Sequence, residues 1–308
     1  MPQLGCSTRL LVLISIIPLA LLVMSFLSGA IGSALTGGEP ILPNPGEIIQ
    51  LPAEEVLHIF GFPITNTMIA SWLTILIVVG MVYAATRRVR LIPSRLQSFI
   101  EFFFGWMLNL CEGAGGKEQG RRFFPVVATI FIFVIMNAWL ALLPFFGPGI
   151  HVGEAPLFRC ANTDINMPLA LAIMSFVFVE YWGMSSLGAR HYLSRFFNVG
   201  PLWGSIKQLF GGKIGAGLNG ILSGVIEVFA GFLELLSELV RLVSFTFRLF
   251  GNMTAGEILL LIVCFLMPWV LVIPFYGLEL LIGFIQAMIF AGLTLGFAAA
   301  AIAPREQE

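Results

Sequence analysis

In the apolar run LVRLVSFTFRLFGNMTAGEILLLIV, residues 239–263, two guanidinium groups, Arg241 and Arg248, stand where a lipid-facing helix carries none. A charge near the bilayer centre costs about 2.5–3.5 kcal/mol on insertion scales, so such residues face a protein partner or a water-filled path. Arg241 and Arg248 belong to a longer series: Glu227, Glu234, Arg241 and Arg248 are spaced by seven. Seven residues turn a helix through about 700°, so each charge lands within about 20° of the last. The stripe is acidic toward one end and basic toward the other, with Glu238 three residues from Arg241. Ion pairs that merely hold helices together account for Glu234, Glu238 and Arg241. They do not account for Arg248, which has no acid within four positions.

Two further acids are isolated in apolar sequence, Glu257 in TAGEILLL and Glu279 in YGLELLIGF, and Gln286 follows Glu279 by seven. Carboxyl groups desolvated in this way are suited to taking up and releasing protons. Glu180, in FVFVEYWG, is a similar acid near a span end. There is no G-x-S-x-G, H-E-x-x-H or Walker-type loop. The histidines His58, His151 and His191 fall in connectors or at membrane edges and read as solvated or interfacial. Cys6, Cys111, Cys160 and Cys264 form no C-x-x-C pair, so neither a disulfide framework nor a zinc site follows. No cofactor is implied. What remains is charge and protonatable groups inside a membrane, which is the chemistry of transport.

The elements that must position these groups are membrane helices. The chain has 308 residues, of which 58% are hydrophobic and 11% charged, and its mean hydropathy is +0.96. Soluble domains carry about 25% charged residues. The net charge of −1 argues against nucleic acid as a partner. A span needs about 20 mostly apolar residues, and candidates run at roughly 10–29, 68–86, 123–146, 165–188, 218–250 and 257–302. The first suits either a cleaved signal peptide, with small residues at Ser28, Gly29 and Ala30, or a plain anchor helix.

Eleven of the sixteen Lys and Arg residues lie in two connectors. The first, 87–122, holds Arg87, Arg88, Arg90, Arg95, Lys117, Arg121 and Arg122; the second, 189–213, holds Arg190, Arg195, Lys207 and Lys213. Residues 31–66 hold Glu39, Glu47, Glu54 and Glu55 and no Lys or Arg. The positive-inside rule puts the basic connectors and the C-terminus in the cytoplasm and 31–66 and 147–164 outside. Leu96, Phe99, Phe103, Trp106 and Leu110 recur at helical spacing, the pattern of an amphipathic helix on the membrane surface. Residues 218–250 rise about 50 Å as a helix and 275–302, beyond Pro268 and Pro274, about 42 Å, against a core of about 30 Å. The expected fold is therefore an all-α integral membrane protein of five to six spans with a steeply tilted C-terminal helical hairpin and one surface helix.

RLFGNMTAGE (248–257) resembles the signature of subunit a of the F-type ATP synthase. IPSRLQSFIE (92–101), MNAWLALLP (136–144) and IQAMIF (285–290) resemble further segments of that family, in the expected order. The likeness covers roughly 55–302. Residues 1–45, as signal peptide or extra anchor with an outer segment, fall outside it, and 46–308 form a single membrane domain. The resemblance implies a stator subunit of the proton motor, with two aqueous half-channels and, as partners, a rotating c-ring and peripheral-stalk b subunits in the inner membrane of a bacterium; sodium in place of the proton as coupling ion stays open. By position, Arg248 matches the family's essential arginine, which separates the half-channels. Asn252, Glu257, Glu279 and Gln286 match polar positions of the outer proton path, and Glu234 and Arg241 match charged positions before the arginine. Two departures stand out. The family often pairs a histidine with a glutamate where this chain has Glu257 and Glu279, and Leu242 occupies a position where many relatives have proline. A secondary transporter would show two related halves with broken helices, whereas the charge here gathers at one end of the chain. A membrane enzyme would need a nucleophile or a metal constellation.

Overall fold

A computed structural model describes residues 8–39, 41–42, 44, 46, 52–87, 93–144, 146, 150–152, 155–194, 196, 200, 203–205 and 214–303. Of the residues singled out above, Cys6, Glu47, Arg88, Arg90, Arg195, Lys207 and Lys213, and the side chains of His151 and His191, lie outside that set.

The chain is helical along nearly its whole described length. Helices α1 (Thr8–Ser28) and α2 (Ala30–Thr36) meet at Gly29. A short antiparallel hairpin follows, β1 (Glu55–Ile59) and β2 (Phe62–Thr65), closed by Phe60 and Gly61. Both residues of that turn have positive φ, 52° and 82°, the pattern of a type I′ turn that matches strand twist. Thr65 then caps α3 (Asn66–Thr86) by accepting the Met68 N–H, 3.4 Å. Helix α4 (Arg95–Leu140) is broken at Gly116, whose φ of 75° excludes a helical turn. After β3 (His151–Val152), β4 (Ala155–Pro156) and a 3₁₀ turn at Ala161–Thr163 come α5 (Asn166–Leu187) and α6 (Ala189–Leu193). Two long helices, α7 (Ile214–Leu266) and α8 (Val272–Ile302), complete the chain.

Five helices, α3, α4, α5, α7 from Gly220 and α8, are long and apolar enough to cross a membrane. The pair α1–α2, bent by 69°, raises the number to six. The count matches the sequence expectation, but one boundary does not. A break was expected between 250 and 257, placing Glu257 in the last span. Instead α7 runs unbroken through Gly251 and Gly256, so Arg248 and Glu257 share one helix, and the break falls at 267–271. A helix-interior glycine costs only about 1 kcal/mol relative to alanine, whereas Pro268 cannot continue a helix. Pro274 sits in the first turn of α8, where a proline leaves no hydrogen bond unmade.

The amphipathic segment forms the first half of α4, residues 95–115, and folds back on the second half. Phe103 and Trp106 meet Phe131 at ring separations of 5.5 and 6.2 Å, and the Arg121 Nε donates to Glu112 at 2.9 Å across the break. A Cβ at Gly120 would overlap the backbone of Cys111 and Glu112, so only glycine permits the close return. Met107 and Cys111 are buried; Leu96 and Phe99, at the start of the periodic face, remain exposed.

Two compact units divide the chain. One comprises Met1–Thr74, Ile135–Asp164 and Phe250–Gln286; the other comprises Ile75–Val134, Ile165–Leu249 and Ala287–Glu308. In the first, the Trp139 indole N–H donates to the Leu280 carbonyl, 3.1 Å, and Thr74 donates to the buried Asn137 side chain, 3.1 Å. In the second, Phe123 packs on Trp182 and Phe245 on Phe290, with centroids 4.6 and 5.0 Å apart. Within each unit α7 and α8 lie side by side and antiparallel, as the predicted C-terminal hairpin requires.

Candidate functional site

The charged stripe belongs to the second unit. Glu227 is exposed, Glu234 and Arg241 are half-buried, and Arg248 is exposed. Their common helical face follows from the unbroken run of α7. Glu238 departs from the face and is buried, at 3% exposure. Its Oε2 lies 2.6 Å from Arg241 Nη1, as the i, i+3 spacing predicts. The Arg241 guanidinium also covers the Phe297 ring from α8, 3.6 Å from its centroid, an arrangement in which a cation is attracted to the ring face. Beside it is a cavity of about 10 Å³ lined in part by Ser175, Val179 and Phe245, at the lower limit for one water molecule. The Ser175 hydroxyl shares a hydrogen bond with Thr294, 2.7 Å. Arg241 is thus satisfied inside the chain. Arg248 differs: among the described residues no acid pairs with it.

The first unit holds the second cluster. Glu279, on α8, is buried and lays its carboxylate against Gly256 of α7, next to Glu257. A Cβ at Gly256 would overlap that carboxylate. Glu279 and Glu257 feel each other electrostatically. Glu257 in turn faces Arg159, with Nε to Oε1 at 3.5 Å and side-chain exposures of 10% and 30%. The Arg159 Nη1 also donates to the Pro52 carbonyl, 3.1 Å. Arg159 Nε and Glu257 Oε2 are buried with no hydrogen-bond partner in the protein. Cys160, beside Arg159 in the connector, is buried and its thiol reaches the Asn137 carbonyl, 3.8 Å. Burial first, then the charge of Glu257, pushes that thiol up to about 12.

The model of the ATP synthase A chain matches residues 68–299. The chain belongs to the ATP synthase A chain family. It is 30% identical over 246 residues to ATP synthase subunit a of Moorella thermoacetica, covering 80% of this chain and 94% of that one. Its likeness to ATP synthase subunit a of Gloeobacter violaceus is 30% over 237 residues, 77% and 83% of the two chains. For Geobacter sp. strain M21 it is 30% over 243 residues, 78% and 90%. The protein is therefore a multi-pass, membrane-sector component of the ATP synthase, with no catalytic site of its own.

Of the residues this ATP synthase subunit was expected to use, Glu257 and Glu279 come together, and Glu238 joins Arg241. Gln286 is buried at 6% exposure, while Asn252 is exposed four residues beyond Arg248 on α7. Glu180 is half-buried. His58 pairs with Glu55 at 3.3 Å on the exposed β1–β2 hairpin, a surface role. The sequence reading missed Arg159. Its one signal is that it is the only base in the connector 147–164, where a solvated arginine is the ordinary expectation.

Proposed function

We propose that this subunit conducts protons between the two faces of a bacterial inner membrane and passes them through the carboxylates of a rotating c-ring, held against the ring by peripheral-stalk b subunits. The observation that carries the reading is Arg248. It is exposed on the charged face of α7 with no acid partner among the described residues, while Arg241, one heptad earlier, is paired with Glu238 and covers Phe297. Its counter-charge then comes from another chain. A carboxylate crossing a low-dielectric interior as an anion carries a large desolvation cost, which a fixed guanidinium offsets over a short arc. Arginine does not deprotonate in proteins, so the same group blocks direct hopping of protons between two half-channels.

Glu257 and Glu279 form the outer half-channel, with Asn252 and Gln286 as polar positions along α7 and α8. Buried polar atoms without a hydrogen-bond partner in the protein, Glu257 Oε2 and Arg159 Nε, suit a hydrated site, which is what a proton path supplies. The basic connectors and C-terminus face the cytoplasm, and the α7–α8 hairpin, too long to stand upright, is steeply tilted. The deciding experiment is Arg248→Ala in membrane vesicles with subunit stoichiometry checked. Proton-driven ATP synthesis is abolished while passive proton leak persists or rises. Arg248→Lys also fails, because a buried lysine sheds its proton. An assembled Arg248→Ala complex that still made ATP at a near-normal rate would overturn the proposal.

A further inference from the structure

The N-terminal segment lies outside the family match, which begins at residue 68, yet it is tied to the turn between the last two helices. That turn, residues 267–271, has backbone N–H groups outside any helical ladder. Two of them, Trp269 N–H and Val270 N–H, converge on one side-chain oxygen, Ser25 Oγ on α1, at 3.2 and 3.4 Å. Ser25 is fully buried, on a helix whose Leu19, Leu22, Met24 and Leu27 are otherwise exposed. One turn later Gly29 sits against the last carbonyl of α7. A Cβ there would overlap Leu266 O and C, both backbone atoms that cannot swing aside. The 69° bend to α2 falls at the same residue.

Small residues at 28–30 therefore have a second explanation besides a processing site: they permit close approach of two backbones. A buried N–H group left without an acceptor destabilises the fold, and Ser25 satisfies two at once.

We infer that α1–α2 is a permanent part of the working subunit, a clamp that fixes the 267–271 turn and through it the facing of Glu257 and Glu279, and that it is not a leader removed on export. The turn is the sole covalent link between the arms that bear the two acids, Glu257 on α7 and Glu279 on α8. Ser25 is a positioning residue. The effect on flux rests on the reading of those acids as proton carriers; the retention of the segment does not.

Intact mass of the chain in the purified membrane complex gives the first test. The expected mass includes residues 8–36; a mature chain starting beyond Ser25 overturns the inference. A variant series gives the second. Ser25→Ala, which strands both N–H groups, lowers proton-driven ATP synthesis roughly tenfold at equal chain content and displaces its pH profile, while Ser25→Thr keeps the hydroxyl and restores both. Gly29→Leu loses more than Gly29→Ala. Parent-like flux and pH profile in assembled Ser25→Ala and Gly29→Leu complexes overturn the clamp. If instead Glu257→Gln and Glu279→Gln are silent while the Ser25 series loses ATP synthesis, the clamp stands and the assignment of the acids falls.

Discussion

Adding one methyl group at Gly256 tests the acid pair without touching either acid. Alanine there places a Cβ inside the space of the Glu279 carboxylate, and the atoms it meets are the far end of a flexible side chain, not backbone. The cost to folding is small, since replacing a helix-interior glycine by alanine is worth about 0.5–1 kcal/mol in the helix's favour. The carboxylate must retreat by about 1 Å to reach ordinary van der Waals separation. A misplacement of that size in a transfer site costs up to about 100-fold in rate. Proton-driven ATP synthesis in inverted vesicles should thus fall by roughly 10- to 100-fold with chain content unchanged. Gly277→Ala, on the same α8 as Glu279 but with nothing within 4 Å of its new Cβ, serves as the control and keeps parental activity. If Gly256→Ala turned over like the control, the packing of Glu279 against α7 would have no bearing on proton flow.

Three other outcomes can be measured. Arg159→Ala removes the base facing Glu257 and the bond to Pro52, so proton flow weakens and its pH profile moves; Arg159→Lys recovers part of it, and a silent Arg159→Ala would remove the residue from the path. Glu238→Ala leaves the Arg241 charge half-buried without its partner and destabilises the subunit by about 3 kcal/mol, read as faster thermal inactivation, whereas Glu238→Leu combined with Arg241→Met recovers most of the loss; equal losses in the single and double variants would refute the pairing. Cys160, with its thiol at about 12, carries almost no thiolate at neutral pH. It should resist maleimide at pH 8 in the native complex and react once the complex is unfolded, and rapid native labelling would contradict its burial.

Hydropathy made the spans legible because twenty apolar residues in a row have few other uses. The stripe of four charges was equally plain, since a spacing of seven needs only a continuous helix to align. The break between the last two helices was misplaced because GNMTAG looks weak for a helix, yet glycine costs little there and the decisive stop lies in Pro268. The return of residues 95–115 onto the following span was hidden for the opposite reason. Their apolar face gives a clean period, while the close approach depends on Gly116 and Gly120, which leave no trace in hydrophobicity. Arg159 was invisible because its environment is assembled from Pro52 and Glu257, one more than 90 residues from it in each direction of the chain.

The way Glu257 and Glu279 are brought face to face limits how this gene can change in length. Helix α7 runs nine residues beyond Glu257 before the turn, and Glu279 is the eighth residue of α8. One residue inserted in either arm rotates its carboxylate by about 100° and shifts it by about 1.5 Å, turning it away from the opposite acid. A loop ordinarily absorbs such insertions, but here the loop is a five-residue turn, two of whose N–H groups are committed to Ser25. On the proposed role of the two acids, an insertion or deletion between 257 and 279 should disturb proton flow more than a single substitution of an exposed apolar residue such as Ile273. The β1–β2 hairpin, whose turn projects the fully exposed Phe60, carries no such phase constraint and can vary in length freely.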